Sequence, residues 1–214
     1  MQIFWHGMNC VRIEAAHGDK SATLVTDPYG SETGLRFPRT LAPEVVALSY
    51  QDKKRFPLDG FTNQPFVVAD PGEYEVSGIF VYGIELKKPE EKYPFGLFYH
   101  FAIEGMAVGF LGGLNRVITE EEVGKLENID ILLLPVGGGS CLSAKQAVEV
   151  VNLIEPRMVI PLNFQIEGLK EKLGTVDAFI KELGVQKREN LNKLKISRKD
   201  LPADELTVVV LERA

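Results

Sequence analysis

The order of strand-like and helix-like segments is the feature that most restricts the fold of this chain. Before Thr119, short β-prone runs such as EVVALSY, QPFVVAD and GLFYHFAIEGM alternate with turns rich in glycine and proline. After Thr119, the buried strand patterns DILLLPVGGG, RMVIPLNF and LTVVVLE alternate with helical patterns. A β-rich half followed by alternating strands and helices predicts two packed sheets with helices outside them.

Helix starts are marked by capping signals. Thr119 with Glu122, and Ser143 with Gln146, have the spacing of a capping box. The segment SAKQAVEVVNLIEP repeats apolar residues at helical spacing, and TVDAFIKELG predicts a helix closed by Gly184. The polar stretch KKPEEKYPFG, from Lys87 to Gly96, predicts an exposed hairpin loop.

Composition narrows the function class. The 214 residues suit a single domain spanning residues 1–214, and 45% hydrophobic with 25% charged residues is typical of a globular protein. The formal net charge of −6 argues against a nucleic-acid partner. No apolar run reaches the roughly 18 residues that span a bilayer, and the start MQIFWHGMNC lacks a secretory leader pattern. We therefore expect a cytoplasmic protein, without a membrane, in which Cys10 and Cys141 are reduced.

Several segments, taken in order, resemble one protein family. These are FWHGMNCVRIE, LVTDPYG, VVALSYQDKKRF, PGEYEVSGIFVYGI, VGFLGGLNR, LLLPVGGG and SAKQAVEVVNLIEPRMVIPLNF. Together they resemble the metallo-β-lactamase superfamily, in particular its compact metal-dependent hydrolases, over nearly the whole chain. The resemblance implies a mixed α/β fold, a four-layer αββα sandwich, with a metal held by loops at one edge of the paired sheets.

The metal-ligand motifs of that family are replaced in this chain. The conserved positions of its T-H-x-H-x-D-H motif fall on Ser49, Tyr50, Asp52, Lys54 and Arg55. The ligands of its H-x-G-D motif fall on Phe110 and Gly113. The histidine after VIP falls on Asn163, and the histidine of W-x-G-H falls on Met8. Catalytic zinc takes about three ligands from His, Cys and carboxylates. Of these side chains only Asp52 is a good ligand, and Lys54 and Arg55 add positive charge. The comparison predicts a degenerate site without a metal or other cofactor.

Two functions are compatible with this pattern. The first is a catalytically inactive member of the fold that serves as a binding or interaction module. Its partner would be a small anionic ligand, such as a phosphate or carboxylate held by Lys54 and Arg55, or a protein, and a homo-oligomer is left open. The second is a metal-dependent hydrolase with substitute zinc ligands, drawn from His6, Asp27 and Asp52. The candidate pocket comprises His6, Met8, Asp27, Tyr50, Asp52, Lys54, Arg55 and Asn163.

Other candidate sites are weaker. The glycine loop PVGGGSCLSAK leads into a helix N-terminus, where an anion can bind, but it lacks a nucleotide-binding fingerprint and is interpreted as architecture. No serine lies in a G-x-S-x-G elbow, so no nucleophile is assigned.

Overall fold

The computed structural model describes residues 1–50, 52–86, 95–126, 128–185 and 187–214. Of the predicted hairpin loop between Lys87 and Gly96, residues 87–94 lie outside the described residues. Within the described parts the strands are β1 (Gln2–Gly7), β2 (Cys10–His17), β3 (Lys20–Thr26), β4 (Val45–Ala47), β5 (Phe66–Val68), β6 (Gly72–Val76), β7 (Ile79–Leu86), β8 (Phe95–Ile103), β9 (Met106–Phe110), β10 (Ile131–Pro135), β11 (Met158–Leu162), β12 (Arg188–Leu191), β13 (Leu194–Lys195) and β14 (Thr207–Leu211). The helices are α1 (Glu120–Val123), α2 (Ala144–Ile154) and α3 (Val176–Leu183).

The strands form two sheets. The first has the order β13-β1-β2-β3-β4-β5 and the second β12-β14-β11-β10-β9-β8-β7-β6. In the first sheet β3, β4 and β5 run parallel, and in the second sheet β9, β10, β11, β14 and β12 do so. The sandwich of two sheets predicted from the sequence is confirmed.

A continuous apolar core lies between the sheets. The fully buried rings of Trp5, Phe98, Tyr99, Phe101 and Phe110 belong to it. The Tyr99 hydroxyl on β8 lies within hydrogen-bond distance of two carbonyls of the first sheet region, Leu48 at 2.7 Å and Val68 at 3.0 Å, and shares its one proton between them. Because buried hydroxyls need partners, these bonds fix one sheet against the other.

The helices cover part of the second sheet, and loops cover the first. Both predicted capping boxes are present, at Thr119 with Glu122 and at Ser143 with Gln146, and α3 ends at Gly184 in the left-handed conformation. Buried side chains of α2 and α3 join the main core. A second apolar cluster, which includes Tyr29, Leu35 and Phe61, lies under loops and short 3₁₀ turns.

In the described part of the chain, no helix is both long and apolar enough to cross a bilayer.

Candidate functional site

Loops from both sheets meet at one edge of the sandwich. Parallel strands place their carboxyl ends at a common edge, so the loops after β3 and β4 are neighbours, as are those after β9, β10 and β11. Hydrogen bonds join the two groups of loops. The Tyr50 hydroxyl donates to the Gly113 carbonyl at 3.1 Å, the Asn9 amide to the Gly112 carbonyl at 2.6 Å, and the Asn163 backbone N–H to the Met8 carbonyl at 3.0 Å.

The backbone is unusual at three of these strand ends. Met8, Asp27 and Asn163 have φ values of 51°, 34° and 48°, in the left-handed region that side chains other than glycine seldom adopt. Such residues concentrate at sites where the surrounding structure holds them in place. At these three residues the backbone therefore turns sharply, at the edge where the loops of both sheets meet.

Asp27 is the central acidic residue of this edge. Its carboxylate accepts hydrogen bonds from the Ser49 backbone N–H at 2.7 Å and from the Ser49 hydroxyl at 2.5 Å. Only 6% of Asp27 is exposed, and burial raises its pKa from 3.8 to about 7, against the opposing effect of the Ser49 bonds. Asp27 therefore exchanges a proton near neutral pH while its geometry is held by Ser49.

A cavity of about 280 Å³ opens beside this carboxyl group, and we call it the Asp27 cavity. Its lining residues are Met8, Asn9, Asp27, Pro28, Tyr29, Glu32, Thr33, Tyr50, Arg55, Phe56 and Ser140. A larger groove elsewhere, of about 800 Å³ beside Met1 and Glu104, contains none of the positions matched to the family motifs. The Asp27 cavity is thus where four of the predicted pocket residues come together: Met8, Asp27, Tyr50 and Arg55.

Tyr50 and Arg55 form one wall of the cavity. The Arg55 guanidinium carbon lies 4.6 Å from the centre of the Tyr50 ring, a cation–π contact. The Tyr50 ring also lies against Gly113, where an added Cβ would approach the ring within 3.1 Å. Tyr50 and Gly113, which are both matched to metal ligands in the family motifs, therefore contact each other directly.

The other predicted pocket residues lie outside the lining of this cavity: His6, Asp52, Lys54 and Asn163. Asp52 accepts the Lys54 backbone N–H at 3.2 Å and so caps the 3₁₀ turn Lys53–Arg55. Phe110 is fully buried and stacks with Tyr99 and Phe101.

His6 is buried in a different environment. It is 3% exposed, and neither ring nitrogen has a hydrogen-bond partner among the described residues. Burial lowers its pKa to about 4, and the nearby guanidinium groups of Arg12 and Arg213 act in the same direction, against the opposing effect of the Ala214 backbone. A buried neutral imidazole is a suitable ligand, but among the described residues His6 belongs to no group of three possible metal ligands.

The described side chains do not fit the metal that the fold family implies. Across residues 1–50, 52–86, 95–126, 128–185 and 187–214, no three His, Cys, Asp or Glu side chains come together as a ligand group. The described residues of the cavity lining include two carboxylates, Asp27 and Glu32, and the cation Arg55. Zinc needs about three ligands, and a fixed positive charge opposes a second cation. The substitute set His6, Asp27 and Asp52 is not assembled.

Several lining residues were missed by the sequence comparison, notably Asn9, Tyr29, Glu32 and Thr33. They come from loops whose positions depend on distant contacts, such as the bond from the Lys170 N–H to the Thr33 carbonyl at 2.9 Å. Ser140 had a signal, because it lies in the glycine loop after β10. Cys141 next to it is buried, and burial raises its pKa, so it is a poor nucleophile.

Comparison with known proteins shows which families and structures this chain resembles. A family model described as a beta-lactamase superfamily domain matches residues 2–163. A UPF0173 protein of Pyrococcus furiosus is 34% identical over 77% of this chain and 83% of its own length. A UPF0173 metal-dependent hydrolase of Pyrococcus abyssi is 26% identical over 68% and 67% of the two chains.

Among solved structures, one from Thermotoga maritima is described as a proposed zinc-dependent hydrolase of the metallo-β-lactamase superfamily. It is 30% identical, covers 98% of this chain and 97% of its own, and superposes with a TM-score of 0.79.

These relatives correct the first functional interpretation. The sequence comparison favoured a catalytically inactive binding module, but several of the similar proteins are named as metal-dependent or zinc-dependent hydrolases. The interpretation as an inactive module is therefore wrong, and the alternative, a metal-dependent hydrolase, is the better supported function class.

Proposed function

The chain belongs to the metallo-β-lactamase superfamily, and from this premise we propose that it is a hydrolase whose reaction takes place in the Asp27 cavity. The observation that carries the proposal is the buried Asp27 carboxyl group, which lines the cavity, is fixed by Ser49 and has a pKa of about 7. A general base is most effective when its pKa lies near the working pH.

The proposed step uses Asp27 as a base toward water. The ionised carboxylate takes one proton from a water molecule in the cavity, and the water oxygen forms a bond to the electrophilic centre of the substrate. The bond to the leaving group then breaks, and the proton held by Asp27 passes to that group. Asp27 returns to its ionised form, so atoms and charges balance over one turnover.

We do not extend the metal dependence of the relatives to this chain, because the described donor set does not fit a metal. The step above is therefore assigned to Asp27 alone. Within the same proposal the substrate is a small anionic molecule, and the protein acts in the cytoplasm.

The test is a hydrolysis assay with p-nitrophenyl acetate and p-nitrophenyl phosphate at pH 5 to 9. We expect kcat/KM to rise with pH through about 7, as Asp27 ionises. The Asp27→Asn variant should lose at least about a hundredfold in kcat/KM. The matched control is Asp204→Asn, since Asp204 is exposed and outside the cavity lining.

Two results would contradict parts of this proposal. Equal rates for the Asp27→Asn variant and the unchanged protein would remove Asp27 from the reaction. Activity that disappears with a chelator and returns with zinc or manganese, together with a stoichiometric metal in the purified protein, would replace Asp27 by a metal-bound water.

A further inference from the structure

Arg55 is the one guanidinium group among the residues that line the Asp27 cavity. In the described part of the chain it makes no ion pair, and its recorded contact is with the Tyr50 ring. The Tyr50 ring is itself held by the hydroxyl bond to Gly113. Arg55 is thus a positive charge that rests on the Tyr50 ring in the same cavity lining as Asp27.

The other polar groups of the lining are largely occupied. The hydroxyls of Tyr29, Thr33 and Tyr50 donate to the backbone carbonyls of His6, Gly30 and Gly113. The Glu32 carboxylate turns back and accepts the Gly30 N–H at 3.1 Å. The Arg55 guanidinium therefore offers the strongest free donors in the cavity, arranged in a planar fork that suits two-point binding of a carboxylate.

The charges of the cavity lining favour a carboxylate over a phosphate. Among the residues that the structure describes, the lining contains one cation, Arg55, and two acids, Asp27 and Glu32. A phosphate dianion would meet more repulsion from these acids than a carboxylate, which carries one negative charge. Building on the proposed function, we propose that Arg55, supported by Tyr50, binds a carboxylate group of the substrate and so selects carboxylate-bearing esters or amides for hydrolysis.

Neighbouring Lys54 provides a matched comparison. It lies in the same exposed turn and carries the same charge, but it is outside the cavity lining, and its backbone N–H is bound to Asp52. If anions bound only through general attraction to positive charge, Lys54 and Arg55 would contribute equally to the affinity. If the carboxylate binds by direct contact in the cavity, only Arg55 contributes.

The test measures binding by calorimetry, with benzoate as the carboxylate probe, benzamide as its neutral counterpart, and inorganic phosphate. We expect benzoate to bind more tightly than benzamide or phosphate. Arg55→Gln should raise the Kd for benzoate at least about tenfold, the loss expected for a charged hydrogen bond, whereas Lys54→Gln should leave it within about twofold. Arg55→Lys, which keeps the charge without the fork, should fall between them.

The inference is overturned if Arg55→Gln binds benzoate as the unchanged protein does, if phosphate binds more tightly than benzoate, or if no benzoate binds up to about 10 mM. These results are separable from failure of the proposed function, since binding requires no turnover. Arg55-dependent benzoate binding without hydrolysis would refute the hydrolase alone. Hydrolysis with a benzoate affinity independent of Arg55 would refute the carboxylate site alone.

Discussion

Asp27 and His6 are both buried titratable residues at ends of strands in the first sheet, yet their surroundings differ. Asp27 receives two hydrogen bonds from Ser49 and lines a cavity. His6 has two unpartnered ring nitrogens and lies outside that cavity's lining. Burial acts against the charged form of each, so it raises the pKa of Asp27 and lowers that of His6.

The difference shows that burial alone does not identify a site. Both residues have strongly shifted pKa values, but only Asp27 lines the cavity and is held in position by hydrogen bonds from Ser49. His6 is held neutral by its environment, next to Arg12 and Arg213. The comparison can be tested through the opposite pH dependence that the two residues give to stability.

The largest expected effect on stability belongs to Asp27. Its pKa is about 7 in the folded protein, above the ordinary 3.8. Between these values the folded state retains a proton that the unfolded state has lost, so the contribution of Asp27 to stability falls as pH rises from about 4 to 7 and is constant above. Asp27→Asn should remove this slope and gain up to about 4 kcal/mol over the unchanged protein at pH 8.

Urea unfolding of both proteins at a series of pH values measures that difference, and Asp204→Asn is the control. A stability difference that does not change between pH 4 and 8 would show that Asp27 is not titrating in the fold, and would also weaken its role as a base.

His6 should give the opposite slope. Its pKa is about 4 in the fold and 6.5 ordinarily, so between these values the unfolded state binds a proton that the folded state does not. The contribution of His6 to stability therefore falls as pH drops from about 6.5 to 4, by about 3 kcal/mol at most. His6→Phe should abolish this loss in acid unfolding curves. The half-buried His100, whose pKa burial also lowers, serves as comparison through His100→Phe, with a smaller effect.

Sequence patterns predicted the ends of several helices. The two capping boxes and the Gly184 helix end depend on residues a few positions apart, and all were predicted correctly.

His6 was grouped with the pocket because it is near Met8 in sequence. It follows the core residue Trp5, however, and because side chains alternate along a strand it lies on the other face of β1.

The sequence predicted only some of the residues that line the cavity. Asp27, Tyr50 and Arg55 were found through their alignment with the family motifs. Asn9, Glu32 and Thr33 were not, because their positions depend on contacts between loops far apart in sequence, such as the Asn9 bond to the Gly112 carbonyl. No local pattern encodes such a contact.

Gly112 offers a smaller and more selective test, because it approaches Asp27 from the opposite sheet. A Cβ at Gly112 would lie 2.9 Å from Asp27 Oδ2 and 2.2 Å from Phe110 Cζ. Gly112→Ala should therefore destabilise the fold by about 2 kcal/mol through overpacking. The displaced carboxyl group should also alter the pH dependence assigned to Asp27 while the slope assigned to His6 stays unchanged. Gly124→Ala is the control, since its Cβ would meet nothing closer than 3.5 Å. Urea unfolding at pH 5 and 8, with and without His6→Phe, distinguishes these effects, and equal stability of the two alanine variants would show that the loop after β9 does not press on Asp27.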